Sequence, residues 1–93
     1  MVQPEQQPDD LRGQLFAVLI SVRDRLSERD AQLIHEFIDV GELGLVLEQM
    51  IDDLSEGESP ISDNERTTMH ALSRDMQMGQ RVPETLELCP SRR

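Results

Sequence analysis

The sequence predicts an all-α fold, a compact bundle of four short helices. Three observations carry this. Apolar residues recur at helical spacing in four separate stretches. Each stretch is bounded by capping residues or by Gly and Pro. No stretch alternates apolar and polar residues as a half-buried strand would. A chain of 93 residues suits one domain with one small core. Phe16 and Phe37 are its only aromatic residues, so that core has to be built from Leu, Ile, Val and Met.

Residues 1–9 are polar and Pro-containing and read as a disordered lead-in. Asp9 or Asp10 caps a first helix near 10–27, in which Leu11, Leu15, Val18, Leu19, Val22 and Leu26 form one stripe. Phe16 and Ile20 lie on a second face, so this helix is expected to be central and buried on two sides. Ser27, with Asp30 three residues on, starts a second helix near 29–40. Its stripe is Ala31, Leu33, Ile34, Phe37 and Ile38, and Gly41 ends it. Glu42 opens a third helix near 42–56, where its charge suits the helix dipole. Leu43, Val46, Leu47, Met50, Ile51 and Leu54 point inward, and Gly57 and Pro60 terminate it. Ser62 and Glu65 form a capping-box pattern for a fourth helix near 63–78. Met69, Leu72 and Met76 make its stripe and Gly79 stops it. Residues 10–79 are thus one helical domain, and 80–93 read as an irregular tail.

The formal net charge is −10, and the nine basic residues are all Arg. Direct binding to nucleic acid needs a basic footprint, and anionic membrane surfaces attract basic segments, so both partners are disfavoured. The longest apolar run, Leu15–Ile20, is too short to span a bilayer. The opening "MVQPEQQPDD" lacks the charged and apolar regions of a signal peptide. Cys89 is the single cysteine, so no internal disulfide calls for an oxidising compartment. It lies in a Pro-flanked tail and reads as incidental. A cytoplasmic protein is expected.

The residues that carry chemistry are scattered. His35–Glu36 begins like a zinc-protease helix, but Asp39 stands where the second histidine belongs. His70 has no spacing relation to His35, so no metal or cofactor is expected. Ser21, Ser27, Ser55, Ser59 and Ser62 sit in no nucleophile-elbow motif, and capping accounts for Ser27 and Ser62. No Gly-rich phosphate loop is present. Acyl carrier proteins are also small, acidic and helical, but they bear their arm on the Ser of Asp-Ser-Leu at a helix start. Here "DDLSEG" puts Ser55 at a helix end, in the wrong order. An enzyme is not expected.

The acidity is concentrated. From Asp30 to Glu65 there are eleven acidic residues and no Lys or Arg. On a helical wheel of the third helix, Leu45, Glu48, Gln49, Asp52 and Glu56 share the side opposite the apolar stripe. Glu48–Asp52–Glu56 makes successive i,i+4 repulsions with no arginine in the segment to relieve them. Acidity spread for solubility alone would be interspersed with cations. An outward acidic stripe around an apolar Leu45 instead suits a basic partner, through steering and an apolar anchor.

The stretch "HEFIDVGELGLVLEQMIDDLSEGESPISDNERTTMHALSRDM" resembles the small bacterial immunity proteins of the MafI type. Those show a helix ending in E-x-x-x-x-G-E, an apolar x-x-A-L-E-x-L-x-x-x-L helix, a loop with P-I-[ST] and a final helix. The matching residues are Glu36, Gly41, Glu42, Leu47, Glu48, Leu54, Pro60, Ile61 and Ser62, and the resemblance covers about residues 11–79. Val46 departs from the family's frequent Ala, and the tail after Gly79 has no counterpart. The resemblance implies a cytoplasmic, non-enzymatic, stoichiometric inhibitor of a toxin domain made by the cell or its siblings. Such toxins commonly end in nuclease domains, often ribonucleases, whose phosphate-binding sites are basic. On this reading Glu36, Asp39, Glu42, Leu45, Glu48, Gln49, Asp52, Asp53 and Glu56 are the partner-binding residues, on a monomer or weak homodimer. The competing readings are an acidic regulator of a basic nucleic-acid-binding protein, of the anti-activator type, and an enzyme subunit with no site of its own.

Overall fold

Pro8 opens helix α1, Pro8–Val22, at a position where its missing N–H costs nothing. The computed structural model describes residues 8–91, so most of the expected lead-in lies outside the described residues. Asp9 and Asp10 therefore fall inside the first turn instead of capping it. A single 3-10 turn, Arg23–Arg25, follows, and Leu26 is extended. The remaining helices are α2, Glu28–Asp39; α3, Leu43–Glu56; α4, Asp63–Asp75; and α5, Arg81–Leu86. The all-α class holds, and the four expected helices are present. The fifth, α5, forms where an irregular tail was expected.

Local signals set most boundaries. The Ser27 hydroxyl accepts the Asp30 N–H at the start of α2. The capping box of α4 is complete: Ser62 Oγ accepts from Glu65 N at 3.0 Å, and Glu65 Oε1 accepts from Ser62 N at 2.9 Å. Gly41 ends α2 in the left-handed region, φ +80°, and Glu42 N reaches back to the Phe37 carbonyl at 2.9 Å. At the other two helix ends the glycine assignments shift. Glu58 (φ 51°) and Gln77 (φ 54°) take the left-handed positions after α3 and α4. Gly57 only precedes the turn, at φ −83°, and Gly79 stands two residues past Gln77.

The core is aliphatic. Leu15, Val22, Ile34, Val46, Leu47, Met50, Ile51, Leu54, Ile61, Met69 and Leu86 are fully enclosed. The central helix is α3, not α1. Five consecutive inward positions of α3 are buried, and it packs against α1, α2 and α5. The second face of α1 stays in solvent: Phe16 is 39% and Ile20 63% exposed. Leu33 of α2, also expected inside, lies largely at the surface. α1 and α2 run antiparallel. Arg23, just past α1, bonds Glu28 at the start of α2 at 2.8 Å, and a Cβ on Gly41, past α2, would meet the Arg12 guanidinium of α1.

Two arginines tie the chain ends to this core. Arg25 grips Glu65 with both Nη atoms, each at 2.8 Å, and also donates to the carbonyls of Pro60 and Ser21. Ser21 donates its hydroxyl to the same carboxylate. This network pins the end of α1 to the start of α4. Arg66 of α4 donates to the carbonyls of Leu86 at 2.6 Å and Cys89 at 2.9 Å, at the C-terminal end of α5. Ile61 N donates to the Pro90 carbonyl, and Ile61 and Ser91 form an isolated parallel bridge. Val82, Leu86 and Cys89 are buried. The segment from Gln80 to Ser91 is thus part of the domain and not an irregular tail. Cys89 is a core residue.

Candidate functional site: an acidic helical surface

The nine residues expected to form one partner-binding surface divide into three groups. The first lies on the outer side of α3. Glu42 occupies its N-cap position, exposed, with no side-chain capping bond. Leu45 is 43% exposed, as its place on the wheel requires. Glu48 and Asp52 are half-buried and Glu56 is exposed. Asp52 is not free. Arg81 of α5 donates one Nη to both of its oxygens, at 3.0 and 2.9 Å. That guanidinium is held above its usual pKa first by its hydrogen bonds to Asp52, and last by the charge of Glu48. The expectation that no arginine relieves this stripe is therefore corrected. The cation arrives from a segment that is distant in sequence, which a wheel of α3 alone cannot contain.

The second group is the seam between α2 and α3. Gln49 donates its amide to Asp53 Oδ1 at 3.1 Å. Asp53 as a residue is half-buried, but its Oδ2 is shut away from solvent with no hydrogen-bond partner. Burial, and next the facing charge of Asp30 on α2, push its pKa up from the ordinary 3.8 to about 6. Gln49 and Asp53 are both half-buried, with the Asp53 carboxyl turned toward the seam between the two helices. Glu65 is the opposite case. Its paired hydrogen bonds from Arg25 pull its pKa from 4.5 to about 2, overcoming the effect of burial.

The third group is on α2. Glu36 and Asp39 are exposed on the wall of a groove between α1 and α2. Phe16, Leu19 and Ile20 supply the facing wall and Ala31 part of the floor. Phe16 meets the ring of His35 edge-on, with centroids 5.5 Å apart and planes at 85°. His35 Nδ1 is 3.8 Å from Asp39 Oδ2, a loose contact between two well-exposed groups. Phe16, Ile20 and His35 were missed as surface residues. No local signal marks them, since Phe16 and Ile20 recur at helical spacing as core residues do.

His70 lies on α4 beside Ser73, Arg74 and Gln77, remote from His35. Among the described residues, no three His, Cys, Asp or Glu side chains come together as a metal site. Among them, too, no helix is long and apolar enough to cross a membrane. The fold and surface define a small all-helical domain whose outer α3 face and α1–α2 groove present mainly carboxylates and apolar side chains. Comparison of the chain with protein-family models, curated proteins and solved structures finds no match.

Proposed function

We propose that this chain is a stoichiometric binding protein that neutralises a basic partner, specifically the nuclease domain of a bacterial toxin, in the cytoplasm and without catalysis of its own. The supporting observation is the fate of the acidic window. Among the described residues, Asp52 and Glu65 are the carboxylates between Asp30 and Glu65 that meet an arginine. Glu36, Asp39, Glu42 and Glu56 remain without one, and Glu48 feels the charge of Arg81 without an ion pair to it. A stable fold gains nothing from such unrelieved repulsion. A partner rich in Arg and Lys relieves it on binding, and long-range attraction speeds the encounter. The resemblance to MafI-type immunity proteins supplies the toxin and the nuclease.

The test is co-expression with the product of the neighbouring gene, followed by a nuclease assay with and without this protein. Inhibition at one-to-one stoichiometry is expected. Loss of nucleic-acid binding by a neighbouring transcription factor, with no nuclease to inhibit, would favour the regulator reading instead. Within a complex, Glu48→Lys with Glu56→Lys should slow association and flatten its salt dependence. Asp52 is a poorer choice, because a lysine there would face Arg81. Leu45→Ala should speed dissociation by about 1–2 kcal/mol if the leucine fills an apolar pocket. Unchanged affinity in both variants would remove the α3 face from the interface.

A further inference from the structure

The groove between α1 and α2 carries a docking chemistry of its own. One wall is apolar and open to water: Ile20 at 63% and Phe16 at 39% exposure, one helical turn apart. The other wall presents Glu36 and Asp39, again one turn apart, with no arginine partner among the described residues. Among the described residues, the one arginine in the lining, Arg23, is engaged with Glu28 at 2.8 Å, at the far end, and His35 makes only the loose contact with Asp39. Arg12 stands outside the lining, beside the Gly41 turn. An apolar strip parallel to an acidic strip, between two antiparallel helices, matches one shape of ligand: an amphipathic helix with cations along one edge of its apolar face. The α2 wall from Glu28 to Asp39 runs on the order of 16 Å at a helical rise, enough for about three turns. A second copy of this chain fits poorly, because it brings a further −10 charge to an acidic rim.

We propose that this groove, alongside the outer face of α3, receives a basic amphipathic helix of the partner protein. Apolar side chains sit on Phe16 and Ile20, and Lys or Arg pair with Glu36 and Asp39. The proposal rests on the reading of the chain as the inhibitor of a basic protein, and it names the site and the partner element.

The test uses the full chain, labelled with nitrogen-15, and a synthetic amphipathic helix of Leu and Lys as probe. A second peptide of the same composition, with its leucines scattered, is the control. Saturable one-to-one binding of the amphipathic peptide is expected, with amide shifts on α1 and α2 and the control bound at least about tenfold more weakly. Ile20→Asp is the informative variant. It adds negative charge, so charge attraction alone would tighten binding, whereas loss of the apolar contact should weaken it about tenfold. Glu36→Lys with Asp39→Lys should cost more affinity than Glu48→Lys with Glu56→Lys, an equal change in charge. Thermal melts of the free variants check that each is folded.

Equal binding of the two peptides, equal losses from the two charge reversals, or shifts confined to α3 would overturn the proposal. So would a free dimer that Ile20→Asp dissociates, since the groove would then be covered by a second copy. The neighbouring toxin separates this inference from the function it rests on. Toxin inhibition with groove resonances unmoved sinks the groove and leaves the function. Peptide docking in the groove with no toxin inhibited sinks the function and leaves the groove.

Discussion

Lowering the pH protonates Asp53 before Glu65, and the two events change stability in opposite directions. Asp53 titrates at about 6 in the folded chain against an ordinary 3.8. The folded state therefore holds the extra proton between those values, and stability rises as the pH falls through 6. Glu65 titrates at about 2 against 4.5. Its contribution is complete above 4.5 and is lost as the pH falls toward 2. Melting temperature should rise from pH 7 to about 4.5 and fall below about 4. Asp53→Asn keeps the Oδ1 acceptor for Gln49 and removes the buried charge. At pH 7 it should stabilise the protein by on the order of 1 kcal/mol, allowing for solvent screening of a half-exposed group. That gain should vanish near pH 4. Parallel melting curves for variant and parent across this range would mean that another group carries the acid response.

Helix ends and the last helix decide stability at the next scale. Glu58 and Gln77 hold left-handed conformations that glycine adopts without strain. Gln77→Gly should stabilise the chain by roughly 0.5–1 kcal/mol, as should Glu58→Gly, while a glycine at an exposed position within α4 should cost about as much. Chemical denaturation of the variants checks the sign. The α5 segment is a larger matter. Val82, Leu86 and Cys89 close the core over Ile61 and α3. Leu86→Ala should cost about 2–5 kcal/mol. Truncation after Gly79 removes all three side chains, on the order of 5 kcal/mol, comparable to the whole stability of a small domain. The truncated chain should be largely unfolded by far-UV circular dichroism. A truncated chain with undiminished helicity would show that residues 80–93 merely rest on a finished bundle.

For the whole molecule the decisive quantity is charge. A net −10 with few internal ion pairs makes the folded state repel itself. Added salt screens that repulsion, because the Debye length shrinks from about 30 Å at 0.01 M to about 3 Å at 1 M. Melting temperature should therefore climb by several degrees over about that range, since roughly 1 kcal/mol moves a domain of this size by about 4–8 °C. A flat or falling curve would mean that the acidic surface carries no strain for a basic partner to relieve.

The sequence by itself determined the helical class, four of the five α-helices among the described residues, and the core apart from Ile61, Val82, Leu86 and Cys89. Those features depend on residues within a turn or two of each other: the spacing of Leu15, Val18 and Val22, the capping box of Ser62 and Glu65, the left-handed Gly41. The exposure of Leu45 was legible for the same reason. Contacts between distant segments were not. Arg81 reaches Asp52 across 29 positions, and Arg25 reaches Glu65 across 40. The first pairing removes an acid from the free surface that a local reading left open, and the second adds a buried ion pair to a carboxylate read only as a cap. The short α5 escaped because Val82 and Leu86 offer too few apolar positions for a periodic signal, and its helix is held from outside by Arg66. Tertiary structure also chose which apolar face to leave bare. Phe16 and Ile20 look no different in sequence from core residues. Only the packing of α3 and α4 against the other side of α1 leaves them in water, and no further helix among the described residues covers them.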